Sequence, residues 1–149
     1  PGALEFVTLW REAWARFHEQ PLRERALLNS PDIVAEMARA RIGANEREEF
    51  WMALVDTKNR LIGWEQVSQG TIDQAVIYPR EILSVAIRHK ASGVILVHNH
   101  PAGDPRPSSD DVAFTRRIVG AARELDVRVL DHLVVTADGY FSFQAEGML

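Results

Sequence analysis

An α/β/α sandwich with a mixed sheet is the fold class this sequence predicts. Three observations predict it: segments of helical period alternate with segments of strand period, one short strand is apolar without a break, and Pro, Gly and Asn punctuate the joins. A run apolar at every position reads as a strand covered on both faces.

The elements follow in order. Residues Leu4 to Phe17 carry apolar side chains at Phe6, Val7, Trp10, Ala13, Trp14 and Phe17, a helical spacing with one apolar face, and Pro21 ends it. We read residues 1–28 as an N-terminal helical extension and residues 29–149 as the main domain. Ser30-Pro31-Asp32 is an N-cap followed by Pro at the first helical position; Ile33, Val34, Met37 and Ile42 continue that helix and Gly43 stops it. Phe50 to Val55, a turn at Thr57-Lys58-Asn59 and Arg60 to Ser68 make a hairpin. Pro79 opens a helix that runs to about His89, and Val94 to Val97 is the uninterrupted apolar strand. Beyond a Pro-rich loop, Ser108 to Leu125 is helical, Val127 to Val135 is a strand, Asp138-Gly139 a turn and Tyr140 to Phe143 a last strand.

Composition bounds the function. The 149 residues are enough for one domain with a buried core, and 26% charged against 46% hydrophobic residues is ordinary for a soluble globular protein. The net charge of −4 gives nucleic-acid binding no support. The absence of Cys excludes a disulfide framework and a thiolate metal site, and it fits a cytoplasmic location. Residues Pro1 to Gln20 mix acids and bases among the apolar positions, so they read as neither a signal peptide nor a membrane span, and no membrane partner is expected.

The stretch from His98 to Asp111 carries the chemistry. His98 and His100 stand two apart; residues two apart in a strand share a face, so both imidazoles can reach one ion. Pro101 should end the strand, and the end of a buried strand is where an α/β fold places its site. The next helix buries Phe114, Ile118, Ala121 or Ala122, and Leu125; stepping back along that stripe reaches Asp111 and then Ser108. Asp110 falls about 100° away, toward solvent. Two imidazoles and the Asp111 carboxylate make three ligands for a divalent metal and leave a fourth position for water. The first turn of the helix also favours an ionised Asp111. Each part has an ordinary reading too: Ser108 with Asp111 is close to a capping box, and Gly103-Asp104 is turn chemistry.

His98-x-His100, seven residues, Ser108, two residues, Asp111 resembles the JAMM motif of the JAB/MPN metalloprotease superfamily. With Pro79-Arg80-Glu81, His98-Asn99-His100-Pro101, Gly103-Asp104, Pro107-Ser108 and Asp131-His132, residues 30–149 resemble the RadC family. RadC proteins usually carry a helix-hairpin-helix region ahead of this domain, a motif that residues 1–28 do not show. The resemblance implies a JAB/MPN-like fold of cytidine-deaminase-like architecture and one zinc ion per chain, held by His98, His100 and Asp111.

It further implies a zinc-dependent peptidase or isopeptidase acting on a peptide or protein substrate. Ser108 would donate to the oxyanion of the tetrahedral intermediate, and a Glu near the start of an early strand would be the general base. Glu48 and Glu49 are adjacent candidates, and likeness to RadC chains selects Glu48. In a strand the two neighbours point to opposite faces, so at most one reaches the metal. Arg80 carries a cation in a first helical turn, where it is unfavourable, and so has another task. Asp131 and His132 interrupt an otherwise apolar strand; a role supporting the metal ligands from behind is open to them, but they read rather as an ion pair or a satisfied core histidine outside the metal site, and His18 and His89 read as surface residues.

Two other classes compete: an accessory protein of DNA repair or recombination with this fold and little peptidase activity, and a non-catalytic scaffold. The complete set His98, His100, Ser108 and Asp111 argues against the scaffold. The contiguous His-Asn-His is no HNH nuclease, whose three residues lie far apart in sequence. Substrate identity and subunit number are left open, a homodimer included.

Overall fold

A side-chain hydrogen bond and a proline start the first helix. The computed structural model describes Leu9 and residues 26–68 and 77–149; the helix expected over Leu4 to Phe17, and His18, lie outside them. Helix α1 spans Pro31–Ala38, with Ser30 Oγ accepting from Asp32 N and Pro at the start, and it continues as a π-helical turn at Arg39–Gly43.

Strands β1 (Phe50–Val55) and β2 (Leu61–Ser68) form the expected antiparallel hairpin. Its turn is held by Asp56, whose Oδ1 accepts from Lys58 N and Arg60 N, and Asn59 takes the left-handed φ of 60° that an Asx residue tolerates. Helix α2 (Pro79–Arg88) is followed by β3 (Gly93–Asn99), α3 (Ser109–Glu124), β4 (Arg128–Val135) and β5 (Tyr140–Ser142).

The strand order is β2-β1-β3-β4-β5. Pairing is antiparallel throughout except β3–β4, which is parallel and joined by the crossover through α3. The sheet is therefore mixed. On one face Phe50, Met52, Leu54, Val94 and Leu96 pack under α2 and α3 against Ile82, Ala86, Phe114, Ile118 and Ala122. On the other, Ala53, Val55, Ile95, Val97, Leu133 and Val135 pack against Val34, Ala35, Ala38 and Ile42 of α1 and its π turn. Every residue of β3 is buried, which is why its sequence reads as an unbroken apolar run. Helices on both faces give the three layers the sequence predicts.

One irregularity in β4 matters for the site. Val94 pairs with Val129, but Ile95 pairs with Asp131, so Leu130 is an extra residue. Side chains alternate faces along a strand, so this single bulge puts His132, partner of Leu96, on the same face as Leu96 and His98. Gly93 belongs to the same corner: a Cβ there would stand 2.5 Å from Leu130 Cδ1 and 3.1 Å from Arg128 O.

Helix α3 corrects two details of the sequence reading. Its buried residues are Asp111, Phe114, Thr115, Ile118 and Ala122, whereas Leu125 is 51% exposed. Leu125 is the C-cap, with φ −108° and ψ 12°, so helical phase no longer governs its direction; it borders a shallow apolar groove with Ile87 of α2. Ser108 is likewise not on the inward face. It is the N-cap, extended at φ −74° and ψ 167°, and it is exposed. Among the described residues no helix is long and apolar enough to cross a membrane.

Candidate metal centre

His98 lies in β3 opposite Phe50 of β1, wholly buried beneath the α2–α3 face. β3 ends at Asn99, but His100 N still donates to Val135 O at 2.9 Å, so the extended course holds for one residue more. Both imidazoles consequently point the same way, their Nε2 atoms 3.0 Å apart. The Phe50 ring stacks on His98 at 5.8 Å and 8° and fixes its plane.

Asp111 enters from the first turn of α3. Its Oδ1 lies 3.3 Å from His98 Nε2 and its Oδ2 3.2 Å from His100 Nε2. The helix start is a full capping box: Ser108 Oγ accepts from Asp111 N at 3.0 Å, and Asp111 Oδ2 accepts from Ser108 N at 2.8 Å. The ordinary capping reading and the site reading thus hold for the same two residues. Asp110 faces solvent and Asp111 is buried. Burial pushes the Asp111 carboxyl up, but the adjoining His100 and His98 rings and the Ser108 N–H outweigh it and hold the group well below the usual carboxylate range. Reciprocally, the hydrogen bond to Asp111 raises His100, against the opposing pull of burial.

The glutamates precede β1 rather than lying in it. Glu48 Oε1 is 3.9 Å from His98 Nε2, and Glu48, His98 and His100 place ligand atoms within 4.8 Å of one another. The Glu49 carboxylate is turned elsewhere, accepting from Gln66 Nε2 at 3.0 Å and from Asn45 Nδ2. The segment is pinned by Asn99, which sits between the two histidines and points to the opposite face.

The donor set fits a zinc ion. Nitrogen and carboxylate ligands at bond lengths of ~2.0–2.1 Å around a tetrahedral ion stand about 3.3 Å from one another. The two imidazole Nε2 atoms stand 3.0 Å apart, and a different oxygen of Asp111 faces each of them, Oδ1 at 3.3 Å from His98 and Oδ2 at 3.2 Å from His100. His100 is also set up as a ligand. Its Nδ1 donates to the Asp104 carbonyl at 2.9 Å, which leaves the Nε2 lone pair of the neutral ring facing the cluster. Exposure runs from the closed side, His98 at 0% and Asp111 at 1%, to Glu48 at 31%, so the open side of the cluster lies beside Glu48.

Residues outside the cluster are placed as follows. Arg80 lies over the Tyr78 ring at 4.4 Å, exposed and away from the histidines. His89, read as a surface residue, is half-buried and meets Glu65 at 3.1 Å. Asp131 makes no ion pair with the His132 ring; it accepts from His132 N, Gln144 N and Ser142 Oγ. His132 is a satisfied core histidine, but one whose ring bonds reach His98 and Thr115. Thr115 and Asn99 escaped the sequence reading. Thr115 could have been found as the residue four after Asp111 on the same stripe, and Asn99 as the neighbour whose side chain must face away from the histidines.

An α/β/α sheet with a His-x-His pair at a strand end, a helix-capping Asp and a Glu at the opening defines a JAB-type domain. Residues 28–148 match the RadC-like JAB domain, and the chain belongs to that family. Its relatives include a UPF0758 protein of Symbiobacterium thermophilum, 46% identical over 87% of this chain and 55% of that protein. A UPF0758 protein of Alcanivorax borkumensis is 42% identical over 91% of this chain and 61% of that protein. One of Pelobacter propionicus is 40% identical over 91% and 59%. The chain thus spans less than two thirds of these relatives, and their names state no activity.

Proposed function

We propose that this domain is a zinc-dependent hydrolase of the JAMM type, cutting an amide bond in a peptide or protein substrate. One observation carries the reading: His98 Nε2 and His100 Nε2 lie 3.0 Å apart with the Asp111 carboxylate 3.2–3.3 Å from each, and Glu48 stands on the open side. When bound, zinc lowers the pKa of a water toward neutrality and polarises a carbonyl.

The chain's own residues supply the rest. His98, His100 and Asp111 would hold the ion, and the capping box keeps the Asp111 carboxylate in place. Glu48, with its carboxylate oxygen 3.9 Å from His98 Nε2, is positioned to take a proton from water on the open side and pass it to the leaving amine. Ser108 accepts from Asp111 N while its own O–H stays free to donate, the requirement for stabilising an oxyanion.

The test is metal analysis of the purified protein beside His98→Ala, with hydrolysis assayed on a panel of peptides and isopeptide-linked peptides. We expect about one zinc per chain in the wild type and a loss in His98→Ala. Glu48→Gln should keep zinc and lose hydrolysis. Equal zinc in wild type and His98→Ala, or full activity in Glu48→Gln, would refute the assignment.

A further inference from the structure

We infer that Thr115 and His132 are positioning residues, which hold His98 in the tautomer that turns its Nε2 lone pair toward the cluster. The inference rests on reading His98 as a metal ligand and concerns how that ligand is set before any ion arrives.

The directions of three short contacts settle the protons. Thr115 Oγ1 lies 2.7 Å from the Asp111 carbonyl and 2.6 Å from His132 Nδ1. A carbonyl only accepts, so the hydroxyl proton must occupy the first contact, and the second is filled only if His132 Nδ1–H donates to Thr115. A neutral imidazole carries one proton, so His132 Nε2 is then an acceptor. It lies 2.7 Å from His98 Nδ1, which must donate to it. With its proton on Nδ1, His98 presents a bare Nε2 to His100 and Asp111. The reverse direction would leave the 2.7 Å contact between two oxygens with no proton in it.

The surroundings keep the relay in this form. His132 is wholly buried, its ring nitrogens contact Thr115 Oγ1 and His98 Nδ1, and among the described residues no carboxylate lies within hydrogen-bonding distance of the ring, an environment that holds the imidazole neutral. The Phe143 ring stacks on His132 at 4.8 Å and 10°, as Phe50 does on His98. The Leu130 bulge puts His132 on this face at all. The relay also begins and ends on one helix: Asp111 offers its carboxylate to the cluster and its carbonyl to Thr115. A bond from the distal ring nitrogen of a metal-bound histidine orients the ring and fixes its tautomer; disturbing such a partner typically lowers metal affinity ~10–100-fold.

The experiment combines long-range nitrogen–proton NMR of the histidine rings in metal-free protein with zinc affinity by chelator competition. In wild type, at alkaline pH, we expect His98 and His132 both protonated on Nδ1. His98 protonated on Nε2 would overturn the inference. Thr115→Val keeps the shape and removes the hydroxyl. We expect it to shift a measurable share of His98 to the other tautomer and to weaken zinc binding about 10–100-fold, with Thr115→Ser restoring both. Wild-type tautomers and wild-type affinity in folded Thr115→Val would also overturn it, and Thr115→Ala serves if the valine variant does not fold. Because the tautomers are read without metal, failure of the wild type to bind zinc would sink the metal reading alone, and the NMR would still decide the relay.

Discussion

Asn99 Oδ1 accepts a hydrogen bond from Glu49 N at 2.7 Å, which ties the strand that carries the histidines to the segment that carries Glu48. The other end of the amide donates to Arg47 O at 2.9 Å. Successive strand residues face opposite ways, so one His-Asn-His run serves the cluster on one face of the sheet and the glutamate segment on the other. Asn99→Ala should therefore cost about 1–3 kcal/mol in stability and speed tryptic cleavage after Arg47. Hydrolysis should fall by more than zinc binding does. An unchanged tryptic rate in the variant would show that the segment is held by other contacts.

The cluster makes the effect of zinc depend on pH. His100 faces Asp111, Glu48 and His98, and its hydrogen bond to Asp111 raises its pKa above 6.5. In the metal-free protein the raised His100 contributes stability fully below its unfolded value of about 6.5, and this is lost as pH rises through the folded value. The depressed Asp111 contributes stability above its unfolded value of about 3.9. Zinc must displace the proton from His100, so its affinity runs the other way and climbs as pH rises. The thermal shift between one equivalent of zinc and excess chelator should grow from pH 6 to pH 8. A shift that is constant or larger at pH 6 would contradict this.

How far the site was legible depends on whether its geometry is local. His98 with His100, and Asp111 in preference to Asp110, follow from strand alternation and helical phase, which act over a few residues. The hairpin and the helix starts at Pro31 and Pro79 are also written in adjacent residues. Leu125 and Ser108 were misplaced because phase was carried one residue beyond each end of α3. The face that His132 takes was out of reach for a different reason. It is set by the Leu130 bulge, a mismatch between two strands about 35 residues apart, and nothing local to Asp131-His132 encodes it. The separation of Glu48 from Glu49 likewise depends on Gln66 and Asn99, from distant strands.

Ser108 holds two posts that a single substitution can separate by magnitude. As N-cap it accepts from Asp111 N, and its loss should cost about 0.5–2 kcal/mol in Ser108→Ala. As oxyanion donor its loss should lower hydrolysis about 10²–10³-fold. Because a cap of that size leaves a stable domain largely folded at 25 °C, a rate loss measured well below the melting temperature and at saturating zinc reports the second role. A melting temperature that falls while the rate holds would leave Ser108 as a cap alone.

Asp131 offers a test of the fold that does not involve the metal. It is buried at the end of the sheet, accepting from His132 N and Gln144 N through Oδ1 and from the Ser142 hydroxyl through Oδ2. Burial raises its pKa, and the hydrogen bonds offset this only in part. Between the unfolded value of about 3.9 and the raised folded value, the unfolded chain gives up the proton and the folded one keeps it. Asp131 therefore lowers stability as pH rises across that window and adds no further slope above it. Asp131→Asn lacks this proton. Its amide oxygen can keep both N–H partners, but its NH₂ no longer accepts from Ser142. In urea unfolding the variant should be less stable than wild type at the acid end, with the deficit shrinking toward neutral pH. A deficit that widens as pH rises would mean that Asp131 is ionised and stabilised in the fold, opposite to the direction argued from its burial.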